Sequence, residues 1–223
     1  MTEIYLVRHG QASFGQDNYD VLSELGQQQA RWLGEWIAQQ SVEFDAIYSG
    51  TLERQRHTLE YLSAGITPAR RIQMTEFDEF DFTRVIQAFL QQNPEHNVAE
   101  PTPRFWFKTL RKSMQAWSQG ELDVPHDAES WPHFIQRVRN GLNHCLTDNN
   151  RKVLISTSGG VIACAVGLTL GLSAESIIKL NLQIQNTSIT RLICSANNNW
   201  SLHSFNYLPH LSSRERAEHI TYA

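Results

Sequence analysis

The rest of the chain is organised around the stretch Ile4-Tyr5-Leu6-Val7-Arg8-His9-Gly10-Gln11. Its apolar residues are branched or aromatic and predict a buried strand that ends at Gly10. In open α/β sheets, ligands bind outside the carboxyl ends of the strands. Arg8 offers a planar fork of donors for phosphate or carboxylate, and His9 can attack phosphorus or transfer a proton. A surface ion pair beside a structural histidine is the alternative that these residues alone leave open.

Composition limits the classes of protein to consider. The chain has 223 residues, 41% hydrophobic and 19% charged, which is the balance of a globular protein with a large core. A net charge of -4 predicts no nucleic-acid partner, and no apolar run approaches the ~20 residues that cross a bilayer. The first residues lack the pattern of an export signal, so we expect a cytoplasmic protein without membrane contact. The cysteines are expected to be buried, reduced and not metal-binding: Cys145, Cys164 and Cys194.

A second predicted strand ends in the same way as the first. It runs into Gly50-Thr51-Leu52-Glu53-Arg54, which opens a helix with Thr51 as the candidate N-cap. An arginine is unfavourable at the positive end of a helix dipole. Arg54 therefore indicates a nearby anion. The alternative is an exposed arginine paired with Glu53 or Glu60.

A later predicted strand ends in Thr157-Ser158-Gly159-Gly160, before a very apolar helix. Glycines at a strand-to-helix turn expose backbone N–H groups that can hold an anion. A close-packed turn without a ligand is the alternative. With Arg8-His9 and Arg54, this gives a third strand end that can face one crevice.

The stretch from Thr75 to Phe82 alternates four carboxylates with three phenylalanines. Acids so close together repel each other unless a site requires them. One interpretation is a general acid whose pKa is raised by an apolar wall. A magnesium site and a solvated edge strand with inward phenylalanines are the other two.

The order of predicted elements is β-α-β-α-β, then a proline-bracketed section, then α-β-α-β-β. It predicts an α/β fold, a three-layer sandwich with a mostly parallel central sheet and helices on both faces. We expect a single domain over residues 1–223. A helical insertion at about 93–126 is expected to cover part of the crevice. Ser23 is expected to cap the first helix, and residues 212–223 to form a polar surface tail.

Taken together, these segments resemble a known family. Leu6-Val7-Arg8-His9-Gly10 resembles the signature of the histidine phosphatase superfamily, also called the phosphoglycerate mutase-like family. Later segments resemble that family over most of residues 3–90 and 128–205: 22–30, 48–54, 77–80, 153–162 and 186–188. The resemblance implies a phosphoglycerate mutase-like fold.

The resemblance also implies a mechanism without metal or cofactor. His9 attacks a phosphoryl group and becomes phosphohistidine, while Arg8 and Arg54 bind the phosphoryl oxygens. Glu79 protonates the leaving oxygen and then activates water, with Glu76 as the rival for this role. Such a division of work suits phosphoryl transfer, where positioning and charge stabilisation carry catalysis.

At one position the chain departs from the family's pattern. The family usually has a second histidine directly before the double glycine, where this chain has Ser158. A serine donates one hydrogen bond but carries no charge, and losing a charged donor costs on the order of a hundredfold in rate. His57 is a candidate to replace that histidine in space. The remaining phosphate ligands implied by the resemblance are Gln11, Ser158 and Gly159.

Three functions follow from these residues. The favoured one is a metal-independent phosphatase acting on a small phosphorylated substrate, with activity weakened by Ser158. The alternative is a member of low or no activity that binds a phosphorylated ligand or a protein partner. A phosphoglycerate mutase is the least favoured. The sequence leaves dimerisation through an exposed edge strand open.

Overall fold

A computed structural model of the protein describes residues 1–13, 20–63, 66, 70–98, 102–125, 128–147 and 150–222. Within these ranges the six strands are β1 (Thr2–Arg8), β2 (Ala46–Ser49), β3 (Arg70–Gln73), β4 (Lys152–Thr157), β5 (Ile189–Cys194) and β6 (Trp200–Tyr207). The seven α-helices there are α1 (Glu24–Gln39), α2 (Glu53–Leu62), α3 (Phe82–Gln92), α4 (Pro103–Gln119), α5 (Trp131–His144), α6 (Gly159–Leu170) and α7 (Ala174–Asn181).

The strands form one mixed sheet in the order β3-β2-β4-β1-β5-β6. The first four are parallel, and β5 and β6 are antiparallel to their neighbours. In the register, Arg8 at the end of β1 pairs with Thr157 at the end of β4, and Ser49 of β2 pairs with Ser156. The carboxyl ends of β1, β2 and β4 therefore meet at one edge, and the predicted mostly parallel sheet is confirmed.

Alternate residues of β1 face two different cores. Ile4 and Leu6 pack in the cluster that holds the inner faces of α5 and α6. Tyr5 and Val7 pack in a second cluster with α1 and α2. This alternation is what a strand buried on both faces requires, and it confirms the three-layer sandwich.

The start of α1 is capped as predicted. Ser23 Oγ accepts a hydrogen bond from the backbone N–H of Gly26 at 3.0 Å. The start of α2 differs, because its N-cap is Leu52, which has no side-chain cap. The prediction that Thr51 caps α2 is therefore wrong. Its hydroxyl instead donates to Oδ2 of Asp78, in the acidic stretch, at 2.7 Å.

The acidic stretch does not form the edge strand that alternation allowed. Thr75–Phe77 is a short 3₁₀ helix, and Asp81 caps α3 by accepting from the N–H of Arg84 at 3.1 Å. Phe77 and Phe80 are buried in the core. The alternation therefore reflects a turn folded over the sheet edge, with its phenylalanines as anchors.

Helix α4 is amphipathic along its length. Met114 and Trp117 are buried in the core, whereas Trp106 and Phe107 in its first half are 39% and 53% exposed. The helix ends at Gly120, whose φ of +73° is the left-handed conformation that glycine adopts without strain. Residues 99–101 and 126 of the predicted insertion lie outside the described residues.

The last described residues lie at the surface, as predicted, but hydrogen bonds hold them against the rest of the fold. The backbone N–H of Asn186 donates to Thr221 O at 2.9 Å. Gln29 Nε2 donates to His219 O at 2.8 Å and to Thr221 Oγ1 at 3.0 Å. The sequence could not predict these bonds, because polar composition does not distinguish a solvated tail from one held by backbone hydrogen bonds.

All three cysteines are free and buried, as predicted. Burial raises the pKa of the Cys164 thiol to about 12, so this thiol stays protonated. Through the described part of the chain, no helix combines the length and apolar character that a membrane crossing needs.

Candidate active site

His9 is the first residue after β1 and is fixed by its backbone on two sides. Its N–H donates to Thr157 O on β4 at 2.8 Å. Its carbonyl accepts from Asn186 Nδ2 at 3.0 Å. The residue is 4% exposed. The backbone that carries the imidazole is therefore fixed at the edge of the sheet.

The ring of His9 has a defined tautomer. Nδ1 lies 2.7 Å from Gly10 O, and because a carbonyl only accepts, we assign the proton to Nδ1. Burial lowers the pKa of His9 well below its usual range, and the positive charges of Arg54 and Arg8 lower it further. The imidazole is thus neutral near pH 7, and Nε2 carries the lone pair.

Arg54 lies in the first turn of α2 and reaches this lone pair. Its Nε donates to His9 Nε2 at 3.3 Å, and its Nη1 binds Asp20 Oδ1 at 2.5 Å. Asp20 also accepts from the backbone N–H of Glu53 at 2.7 Å, at the end of α2 that the helix dipole makes positive. The anion expected near Arg54 is thus Asp20. The alternative of an exposed arginine is wrong, because Arg54 is buried.

Arg8 is the last residue of β1 and lies beside the start of α6. Its Nη1 donates to Ile184 O and, at 2.7 Å, to Tyr222 O. A Cβ on Gly159 would stand 3.8 Å from Arg8 Nε. The C-terminal segment therefore contacts the guanidinium that the family resemblance predicts to bind phosphate.

Glu79 lies against the first turn of α6. Its Oε2 accepts from the N–H of Gly160 at 2.9 Å, and a Cβ on Gly160 would meet Oε1 at 2.2 Å, so a larger residue there would displace the Glu79 carboxyl group. Burial raises the pKa of Glu79, against the opposing effects of this hydrogen bond and of the positive charges on Arg54 and Arg8. A carboxyl group with a raised pKa stays protonated at pH values closer to neutrality than an exposed carboxyl group does.

The other acids of the stretch point elsewhere. Glu76 packs against α5, where a Cβ on Gly141 would meet the Glu76 Cβ at 2.8 Å. Asp78 accepts from Thr51, and Asp81 caps α3. In the ranges described above, no group of three or more His, Cys, Asp or Glu side chains is arranged to hold a metal ion.

The segment that carries Glu79 is held by one arginine of α5. Arg137 Nη1 donates to the carbonyl oxygens of Thr75, Glu76 and Asp78 at 2.8, 3.1 and 2.9 Å. Its Nε and Nη2 bind both carboxylate oxygens of Glu129 at 2.7 and 2.8 Å. Sequence analysis could not single out Arg137, because the groups that it binds on this segment are backbone carbonyls.

Ser158 follows β4 and is fully buried. Its Oγ accepts from Gln55 Nε2 at 2.8 Å. His57 was the candidate to replace the family's histidine in space. Its Nε2 instead lies 3.5 Å from Oε1 of Glu53, on the same helix. A signal for Gln55 was present in the sequence. It shares the buried face of α2 with Leu59, four residues on, so it is a polar residue at a core position.

Gln11 forms hydrogen bonds with two residues at the start of the first helix. Its Oε1 accepts from Ser23 Oγ at 2.8 Å, and its N–H donates to Gln29 Oε1 at 3.0 Å. The structure thus ties Gln11 to the start of α1. The other candidates lie at the same sheet edge: Arg8, His9, Arg54, Glu79, Ser158 and Gly159.

Thr187 supports the site from the loop before β5. Its N–H donates to Arg8 O at 3.0 Å, and its φ of +56° is rare for a β-branched residue. Its Oγ1 lies 2.9 Å from Nε2 of the buried His210. Strained backbone of this kind persists where surrounding contacts fix it, often beside functional sites.

The fold and this edge define an α/β protein with a neutral histidine set among arginines and a buried carboxyl. The family profile described as Histidine phosphatase superfamily (branch 1) matches residues 4–207. The chain therefore belongs to the histidine phosphatase superfamily.

Curated relatives and solved structures are similar to the chain over most of its length. A 2,3-bisphosphoglycerate-dependent phosphoglycerate mutase of Rhizobium etli is 24% identical over 187 residues, covering 80% of this chain and 84% of the relative. Alpha-ribazole phosphatase from Shigella flexneri superposes with a TM-score of 0.67 at 20% identity, covering 92% of this chain and 96% of that one. A phosphoserine phosphatase variant from Entamoeba histolytica superposes with a TM-score of 0.66 at 21% identity, covering 95% of this chain and 100% of that one. These structures share the fold.

Proposed function

We propose that the protein is a phosphomonoester hydrolase that acts through a phosphohistidine on His9. The observation that carries this proposal is the neutral imidazole whose Nε2 lies 3.3 Å from Arg54 Nε at the edge that also holds Arg8 and Glu79. The family supports it, and two of the similar structures are named as phosphatases.

The first step transfers the phosphoryl group to the protein. His9 Nε2 attacks phosphorus with its lone pair, and the bond from phosphorus to the ester oxygen breaks. Glu79 gives its proton to that oxygen, so the leaving group departs as an alcohol. The donors on Arg8 and Arg54 then bind the phosphoryl oxygens and balance their charge.

The second step returns the protein to its starting state. Glu79, now a carboxylate, takes a proton from water as the water oxygen attacks phosphorus. The P–N bond breaks, its electron pair returns to Nε2, and inorganic phosphate leaves. The carbonyl of Gly10 keeps the proton on Nδ1 throughout, so His9 presents the same nitrogen in each cycle. Because Arg8 and Arg54 neutralise the charge of the phosphoryl group in this proposal, we expect turnover in the presence of a metal chelator.

Ser158 is the reason to consider a second function. In this proposal it stands where members of the family usually have a second histidine, and its neutral hydroxyl binds a phosphoryl oxygen together with the N–H of Gly159. A missing charged donor reduces the rate by on the order of a hundredfold. Arg8 also donates to two backbone carbonyls. A protein of low turnover that binds a phosphorylated ligand is therefore the second candidate.

Hydrolysis of para-nitrophenyl phosphate in the presence of a chelator tests the proposal. Wild-type protein should turn over the ester, and His9→Ala should not. His203→Ala is the matched control, because His203 is exposed on β6 and should leave the rate unchanged. Equal rates for wild type and His9→Ala would contradict the proposal. Tight phosphate binding without turnover would favour the second candidate. Conversion of monophosphoglycerates stimulated by bisphosphoglycerate would indicate a mutase instead.

A further inference from the structure

We propose that Gln55 is a positioning residue that directs the hydroxyl hydrogen of Ser158 toward the phosphoryl group bound at His9. This inference rests on the proposed phosphoryl transfer and adds to it a residue that no family motif assigned. It starts from the buried side-chain amide of Gln55, whose two N–H hydrogens both donate hydrogen bonds.

The orientation of the Gln55 amide follows from its partners. One amide atom lies 2.8 Å from Ser158 Oγ and 3.0 Å from Phe77 O. Because Phe77 O can only accept, the atom facing it must be the nitrogen. The two N–H hydrogens of Gln55 are then used, one on Phe77 and one on Ser158. Ser158 Oγ is therefore an acceptor in this bond.

The hydrogen of the Ser158 hydroxyl must then point elsewhere. A serine has one such hydrogen, and it cannot point at an N–H group that already donates. Among the described residues, Ser158 Oγ donates no hydrogen bond within the protein. Ser158 follows Thr157, which pairs with Arg8, so it lies beside His9 at the edge of the sheet. An anion bound at His9 is the acceptor within this edge.

Packing alone does not account for an amide at this position. Gln55 is fully buried, and among the described residues its Oε1 has no hydrogen-bond partner. An unpaired buried acceptor destabilises the folded state, and a leucine of similar size would avoid that cost. The neighbouring backbone also accommodates this amide, since a Cβ on Gly50 would lie 1.8 Å from Gln55 Oε1.

The position allows a clean substitution. Phe77 O accepts a second hydrogen bond, from Thr157 Oγ1 at 2.6 Å, so it keeps a donor when Gln55 is replaced. Gln55→Leu retains the volume of the side chain and removes the bond to Ser158. Any change in rate then reports on Ser158 more directly than on a collapsed core.

A double-mutant cycle with Gln55→Leu and Ser158→Ala tests the inference. We would measure kcat and KM for para-nitrophenyl phosphate, inhibition by vanadate, and the thermal unfolding of each variant. Ser158→Ala should lower kcat on the order of a hundredfold with little change in KM, because the donor acts mainly in the transition state. Gln55→Leu should lower kcat by about tenfold through misplacement of that donor. The double variant should be no slower than Ser158→Ala.

The outcomes separate this inference from the proposed function. Losses in kcat that multiply in the double variant would overturn the inference, because Gln55 would then act independently of Ser158. Unchanged kcat in Gln55→Leu would overturn it too. If Gln55→Leu fails to fold, Gln55→Met makes the same comparison. Absence of His9-dependent turnover in the wild type would overturn the proposed function and this inference together, whereas multiplying losses in an active protein overturn this inference alone.

Discussion

Arg54 Nε lies 3.3 Å from His9 Nε2, so the guanidinium faces the one lone pair that the imidazole presents. The other ring nitrogen is committed to Gly10 O. A phosphoryl group attacked by Nε2 would lie within reach of the same guanidinium. This relationship places the proposed nucleophile and a proposed charge donor in direct contact before any substrate binds.

The first prediction concerns Arg54. Arg54→Lys should lower kcat/KM on the order of a hundredfold, because a lysine cannot reproduce the fork that meets His9 and Asp20 together. Arg56→Lys on the same helix is the control, since Arg56 faces a different pocket beside Leu59 and Arg71. Steady-state kinetics on para-nitrophenyl phosphate would measure both. Arg54→Lys with the kcat/KM of the control would count against the assignment.

The second prediction concerns the pH dependence of activity. Burial raises the pKa of Glu79, and the acid must be protonated to act, so kcat/KM should fall as pH rises through that raised pKa. The pKa of His9 is lowered, so its lone pair should survive acidification that would protonate an exposed histidine. We therefore expect an optimum on the acidic side of neutrality.

The third prediction distinguishes the two candidate acids. Glu79→Gln should slow hydrolysis of alkyl phosphates much more than release of para-nitrophenol, because the better leaving group needs less protonation. Glu76→Gln is the matched control and should leave this dependence on the leaving group unchanged. Rates across a series of phosphate esters would decide the matter. A reversed pattern would assign the acid to Glu76.

The fourth prediction concerns stability. Burial, with a smaller effect of Arg216, lowers the pKa of His210 to about 3. An unfolded histidine has a pKa of about 6.5, so between these values the unfolded state binds a proton that the folded state does not. The free energy of unfolding should therefore fall as pH drops below about 6.5 and level off near the folded value.

Substitution of His210 tests whether this residue causes the predicted pH dependence of the free energy of unfolding. His210→Gln should weaken the fall in urea stability between neutral and acidic pH, although His9 adds a share of the same sign. His203→Gln changes an exposed histidine and should leave the slope as in the wild type. Parallel curves for wild type and His210→Gln would refute the linkage.

The fifth prediction concerns Ser158 and its neighbour. A histidine at position 158 would need the space in which the Gln55 amide lies 2.8 Å from Ser158 Oγ. Ser158→His alone should therefore fail to raise activity, while Gln55→Ala with Ser158→His should raise it. Gln55→Leu with Ser158→His fills that space again and is the control. Activation by Ser158→His alone would show that the space is not limiting.

The strand ends could be predicted because their signals are local. A short apolar run, a glycine and an adjacent Arg8, Arg54 or Ser158 all lie within a few residues of each other. The parallel register that brings them together follows from the alternation of strands and helices. The capping of α1 by Ser23 could be predicted for the same reason, because the cap and the N–H group that it accepts from are three residues apart.

The missed contacts join residues that are distant in sequence. Asp20 reaches Arg54 from another loop, and Tyr222 O meets Arg8 across nearly the whole chain. Arg137 acts on backbone carbonyls, which leave no mark in the sequence. Gln55 alone carried a readable signal, as a polar residue on a buried helix face.

Direct detection of phosphohistidine tests the central proposal most closely. Wild type, His9→Ala and Glu79→Gln would be mixed with para-nitrophenyl phosphate, quenched in alkaline denaturant and digested for mass spectrometry. We expect a phosphoryl group on the peptide containing His9 in the wild type, more of it in Glu79→Gln because water activation is lost, and none in His9→Ala. Turnover by the wild type with no phosphohistidine at His9 in either active-site background would contradict the mechanism.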